Sequence, residues 1–235
     1  MAFKELVSPT LKELFITEIE AMILSGELKI GDKLPPERKL AEEMKVSQAV
    51  VNGGIIDLAN KGFLKVYPRK GTYVADYKSE GKIEILQSII AYNGGHFDPQ
   101  MMNSLLEIRE CLERSEVVSA AKNASKDDVD RLRSIIDKVK VSDGPVKQSK
   151  VMTEFYYGLS KISGNIIHPL IFYSFRPIYL SKQEVLYKHG FLKTELSLLN
   201  ELLSLIEQGK GEEAADCISE IIVQVRSVFE TVLAK

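Results

Sequence analysis

The chain's 235 residues are enough for two modest domains, each with its own core. A hydrophobic share of 45% against 27% charged residues is that of an ordinary globular protein, with no run near the ~18 apolar residues of a membrane span. The net charge of −2 gives no overall attraction to nucleic acid, and three scattered histidines without HExxH, a phosphate-cradling glycine loop or a Ser-His-Asp order predict no enzyme.

The N-terminus, MAFKELVSPT, has no apolar stretch after its charges, so no secretory signal is read and a cytoplasmic protein is expected. Ser8-Pro9 reads as N-cap and first residue of a helix whose stripe is Leu11, Phe15, Ile19, Met22 and Ile23, closed by Gly26. Pro35-Pro36 open a second helix carrying Leu40, Ala41 and Met44, which gives way at Lys45-Val46. Ser47 is the expected N-cap of a third helix over Gln48 to Lys61, with Val50, Val51, Ile55 and Leu58 inward and Gly62 as left-handed C-cap. Two β-prone runs, 63–67 and 72–75, flank the turn cluster Pro68-Arg69-Lys70-Gly71. Helix, turn, helix and wing is an arrangement that lays its second helix in a DNA groove. Residues 1–77 carry 11 basic and 11 acidic side chains, yet from Lys45 to Lys70 five cations face Asp57 alone. Positive charge therefore gathers where phosphates would lie.

The segment LPPERKLAEEMKVS with the following helix and GFLKVYPRKGTYV resembles the winged helix-turn-helix of GntR-type bacterial transcription regulators, over nearly all of residues 9–75. The resemblance implies DNA contacts from Arg38, from Ser47, Gln48, Ala49 and Asn52, and from Arg69, Lys70 and Gly71 at the wing. Where that family usually has Val-Ser-Arg and a second arginine four residues on, this chain has Gln48 and Asn52. Amide side chains pair with adenine and arginine with guanine, so A·T pairs are expected where the common operator has G·C. Gly53-Gly54 in mid-helix costs about 1 kcal/mol per glycine against alanine. Gly54 suits close packing, and Gly53 suggests a recognition helix that firms up on DNA.

Asp76 to Gly81 reads as a linker between a domain at 1–77 and one at 78–235, and the rest as helix. Helical segments are expected from Lys82 to a stop at Asn93-Gly94-Gly95, Asp98-Pro99 to about Ala124, Ser125 through Val139, Lys147 to Ile162, Pro169 to about Lys188 with a kink near Pro177, Leu192 to Gln208 and Glu212 to Ala234. The fold class is thus mainly α: a winged helix followed by an all-α bundle of six or seven helices. Cys111 and Cys217 read as buried free thiols.

LLEIRECLERSEVVSAAKNASKDDVDRL, FYYGLSKISGN and LIEQGKGEEAADCI are similar to the effector-binding and dimerisation bundle of the FadR subfamily. Most members hold a metal on one aspartate and three histidines; the matching positions here are Met152, Tyr156, Leu199 and Ile221, so no metal and no cofactor are expected. Met102, Leu105, Leu106, Arg109, Leu112, Glu116 and Val117 share one helix face, and a buried Arg109 needs an anion, from Glu113 one turn away or from a ligand. The effector set expected is Arg109, Tyr156, Tyr173 and Leu199, around an apolar cavity with a single arginine that suits a fatty acyl-CoA or another apolar acid. Resemblance and charge placement together imply a homodimer on a pseudo-palindromic double-stranded DNA operator, with no membrane partner. The alternative is an effector-free architectural or protein-interaction dimer.

Overall fold

The structure, a computed structural model, describes residues 8–233 and divides into two compact units at His96/Phe97. In the first, α1 (Leu11–Leu24), α2 (Glu37–Glu43) and α3 (Gln48–Lys61) precede a hairpin of β1 (Leu64–Tyr67) and β2 (Gly71–Val74). The strands run antiparallel, Leu64 opposite Val74 and Tyr67 opposite Gly71. A winged helix-turn-helix results, its core built from Phe15, Ile19, Val51, Ile55, Leu58, Phe63 and Leu64.

The first helix starts later than Ser8-Pro9 suggests. Thr10 caps it: its side chain accepts from the Glu13 amide at 3.2 Å while the Glu13 carboxylate accepts from the Thr10 amide at 2.7 Å. Two amides satisfied at once outweigh a serine-proline start. The α3 ends fall as expected, with the Ser47 side chain accepting from the Val50 amide at 3.3 Å and Gly62 in the left-handed region at φ 97°. Residues 76–81 are not an open linker: α4 (Tyr77–Glu80) lies there, and the Tyr77 ring sits 5.5 Å from that of Phe63. The first unit then continues through α5 (Glu84–Tyr92), whose Ile85 is buried in the winged-helix core. It thus runs past residue 77, because the chain after the wing still carries apolar side chains that this core takes in.

The second unit is a bundle of α6 (Pro99–Asn123), α7 (Lys126–Lys140), α8 (Gly144–Ile162), α9 (His168–Lys188), α10 (Leu192–Glu207) and α11 (Gly211–Leu233). The expected end at Ala234 lies outside the described residues. Asp98 caps α6 with Pro99 as first residue, and Ser125 with Asp128 forms a capping box on α7. Helix α6 packs on α11, α8 on both α7 and α9, and α10 on α11. Cys217 is buried, but Cys111 is exposed: with Arg109 and Glu113 turned inward, position 111 falls on the outer face of α6.

Close approach of α1 and α3 requires Gly54. A Cβ there would lie 2.3 Å from Cδ1 and 2.7 Å from Cε1 of the buried Phe15 ring. Gly53 is also confined, since its Cβ would reach 3.3 Å from the stem of Lys12, whose ammonium pairs with Asp57 at 2.9 Å. Overpacking costs about 1–3 kcal/mol and exceeds the roughly 1 kcal/mol of helix propensity that alanine returns. Gly54→Ala should therefore lower the urea unfolding midpoint of the first unit, and Phe15→Leu in the same chain should recover part of the loss.

Candidate functional site

Helix α3 buries Val51, Gly54, Ile55 and Leu58, so Gln48, Ala49 and Asn52 stand on its opposite, exposed face. They lie at the N-terminal end of α3, where the helix dipole favours an anion such as phosphate. Asn52 Nδ2 lies 3.4 Å from both carboxylate oxygens of Glu37 at the start of α2, which orients the amide. Arg38, also exposed, donates from Nε to Glu42 at 3.0 Å, a surface pair of little strength that a phosphate could replace.

At the wing tip the Lys70 amide donates to the Tyr67 carbonyl at 3.0 Å, closing the turn. Arg69 sits at φ 64° and Gly71 at φ 115°, and the latter is a conformation that favours glycine. Arg69 and Lys70 are exposed. The net charge counted along the sequence is smaller on the surface, because Lys61 pairs with Glu20 at 2.7 Å and Lys65 with Glu80. Lys45, Arg69 and Lys70 have no carboxylate partner among the described residues. Lys45, in the turn between α2 and α3, has φ 53°; it and Arg69 are the non-glycine residues with positive φ among the described residues.

The second unit holds a polar centre. Arg109 is 5% exposed and grips Glu113 with two bonds, Nε to Oε1 at 2.6 Å and Nη2 to Oε2 at 2.9 Å. The Tyr179 hydroxyl donates to the same Glu113 oxygen at 2.5 Å. The guanidinium carbon lies 5.3 Å from the Tyr156 ring centre and 5.2 Å from that of Tyr179. Burial opposes its charge, but Glu113, with both tyrosines, outweighs burial and holds the pKa well above its ordinary value. Beyond these, Tyr156 donates to Glu195 Oε1 at 2.7 Å, Tyr187 to Glu195 Oε2 at 2.6 Å and Gln183 to Glu195 Oε1 at 2.9 Å. Burial, reinforced by Glu195 for Tyr156 and Tyr187 and by Glu113 for Tyr179, raises all three hydroxyl pKa values well above their usual level, so the phenols stay donors.

A narrow cleft of about 30 Å³ between α6 and α9 runs to this centre. Part-buried Leu105, Leu112, Ile171 and Phe175 and the exposed Ile108 line it, as do the buried Arg109, Glu113, Glu116, Tyr179 and Lys182. Burial pushes the Glu116 carboxyl up to about 8, the Glu113 charge adding and Arg109 opposing. Burial brings Lys182 down to about 7, with Arg109 adding and Glu195 and Glu113 opposing.

Of the expected effector residues, Arg109 lines the cleft and Tyr156 stacks against it, whereas Leu199 is buried outside the lining and Tyr173 is 66% exposed. The interior is not the apolar cavity with one arginine expected from the sequence. It holds two cations and several carboxyls, because α9 contributes Lys182 and Gln183, and α10 Glu195, from inward positions. The Tyr179-Lys182-Gln183-Leu186 spacing along one helix face was the available signal for these.

The sequence profile described as "Bacterial regulatory proteins, gntR family" matches residues 13–74, and that of the FCD domain matches residues 104–224. The chain is similar to the HTH-type transcriptional regulator Mce2R of Mycobacterium tuberculosis, at 24% identity over 76% of this chain and 74% of that one. It is similar also to the fatty acid metabolism regulator protein of Proteus mirabilis, at 25% identity over 81% of this chain and 78% of that one. Among solved structures it shares its fold with Lar, described as controlling the expression of the Listeria monocytogenes agr system, at TM-score 0.67 and 18% identity over 96% of this chain and 99% of that one.

Glu116 provides a test of the cleft's charge. Its folded carboxyl keeps a proton up to about pH 8, whereas an unfolded one releases it near 4.5, so the folded state holds the extra proton between these values. Stability carried by this group is complete below 4.5 and declines as pH rises through about 8. Urea unfolding of wild type and Glu116→Gln should show wild type losing ground to the variant across that window.

Proposed function

Since the chain belongs to the GntR family of bacterial regulatory proteins and carries an FCD domain, we propose that it is a dimeric regulator that reads a pseudo-palindromic operator and responds to an acidic effector. The observation that carries the reading is the exposed Gln48, Ala49 and Asn52 face of α3, together with a wing tip whose Arg69 and Lys70 have no carboxylate partner among the described residues. In a two-fold dimer, two such helices enter successive major grooves about 34 Å apart. Arg38 takes the flanking backbone once it leaves Glu42, and Ser47, Lys70 and Gly71 set the register on phosphates. Gln48 and Asn52 contact adenines, each bidentate pair supplying about 1–3 kcal/mol of discrimination.

The effector is an acid with an apolar tail, such as a fatty acid, and one relative is named as a regulator of fatty acid metabolism. The cleft from α6 to α9 supports this, with aliphatic and aromatic side chains toward its mouth and charge at its floor. Its occupation changes operator affinity by as much as it favours one arrangement of the dimer over another.

Selection of bound duplexes from a random pool should return A·T pairs opposite Gln48 and Asn52, and Gln48→Arg should move the first of these to G·C. Recovery of the same guanines by both proteins overturns the base assignment, and failure to bind any duplex at low salt overturns the function. Replacing Arg69 and Lys70 together by alanine should weaken binding on all sequences alike and flatten the salt dependence by about two phosphate contacts.

A further inference from the structure

The polar centre of the second unit leaves two buried cationic donors incomplete. Arg109 Nη1 and Lys182 Nζ have no hydrogen-bond partner among the described residues, and they are 5% and 4% exposed as residues. Both line the one cleft between α6 and α9. The same two rings hold them: Lys182 Nζ lies 5.1 Å from the ring centre of Tyr179 and 6.0 Å from that of Tyr156, the rings that Arg109 also faces. A buried ammonium without an acceptor is strongly disfavoured, and native interiors seldom leave such a donor unmade.

The carboxylates already present do not supply the acceptor. Glu113 gives both oxygens to Arg109 and one of them also to Tyr179. Glu195 is occupied by Tyr156, Tyr187 and Gln183. Neither Glu116 nor Gln183 Oε1, a buried acceptor that also has no partner among the described residues, is hydrogen-bonded to either donor. Arg109 and Lys182 thus meet the negative charge of Glu113 and Glu195, and what the centre lacks is an acceptor placed on Arg109 Nη1 and Lys182 Nζ. Resting on the effector site proposed above, we infer that Lys182 Nζ and Arg109 Nη1 together receive the free carboxylate of a monoanionic acid, whose apolar tail lies along Leu105, Leu112, Ile171 and Phe175. A thioester or ester offers only a neutral carbonyl to two charged donors and binds more weakly at this position. An anion between the two cations would also return Lys182 from about 7 toward the ordinary lysine range.

The test is isothermal titration of the full chain with a panel of monocarboxylates bearing aliphatic and aromatic tails (decanoate and phenylbutyrate among them), each beside its methyl ester. At least one acid should bind with its ester tenfold weaker or worse. Lys182→Met should weaken that acid by about ten- to a hundredfold, the range of one charge-assisted hydrogen bond. Its unfolding midpoint should not fall, because an unpaired buried charge is removed. Equal binding of acid and ester, no binding by any acid, or unchanged affinity in Lys182→Met overturns the inference. Should the variant not fold, the comparison of acid with ester on wild type decides alone. Acid binding that leaves operator affinity unmoved would remove the regulatory reading and spare this one. An acyl-CoA that moves operator affinity equally in wild type and Lys182→Met would do the reverse.

Discussion

A guanidinium carried into the interior of a helical bundle dictates much of what surrounds it. Arg109 enters on the inward face of α6, and its desolvation is tolerated only because Glu113, one turn on, meets it with two parallel hydrogen bonds. That carboxylate then demands a further donor, which Tyr179 of α9 provides. The rings of Tyr156 and Tyr179 close over the cation, and the Tyr156 hydroxyl finds Glu195 on α10. Four helices are tied through one chain of charge and hydroxyl, so sequence choices on α8, α9 and α10 follow from a single arginine on α6. The cleft is the side of this arrangement that opens to solvent.

The first unit obeys a different rule. Helix α3 must hide Val51, Gly54, Ile55 and Leu58 while presenting amide side chains outward, and it can do both only if α1 comes close enough to cover the hidden face. Phe15 against Gly54 sets that distance. The wing extends the same core through Phe63, Leu64 and Val74, so the positions of Arg69 and Lys70 relative to α3 are fixed by buried apolar contacts rather than by charge.

Helix ends with chemistry in the local sequence were legible. Ser47, Gly62, Asp98 and Ser125 marked boundaries that the structure keeps, since a cap needs only neighbours a few residues away. Where two local signals competed, at Ser8-Pro9 and Thr10 with Glu13, the reciprocal cap prevailed. Arg109 was visible because one charge broke an apolar stripe within a single helix. Lys182 and Gln183 share a helix face with Tyr179 and Leu186, a spacing that signals an inward position but not what it meets, and Glu195 was hidden because its partners come from α8 and α9. The exposed Cys111 was misplaced for a related reason: two inward-facing charges, not hydrophobicity, decide which way α6 is turned.

Backbone that bends to the left is ordinarily assigned to glycine, and this chain follows that habit at Gly26, Gly31, Gly62 and elsewhere. It departs from the habit at Lys45 and Arg69, one in the corner before the reading helix and one at the summit of the hairpin. Holding a full side chain there costs on the order of 1 kcal/mol each. Both exceptions are basic, and both stand on the edge turned toward the proposed duplex. Relaxed geometry is thus given up at two corners that both carry a cation, the charge that the proposed polyanion would meet.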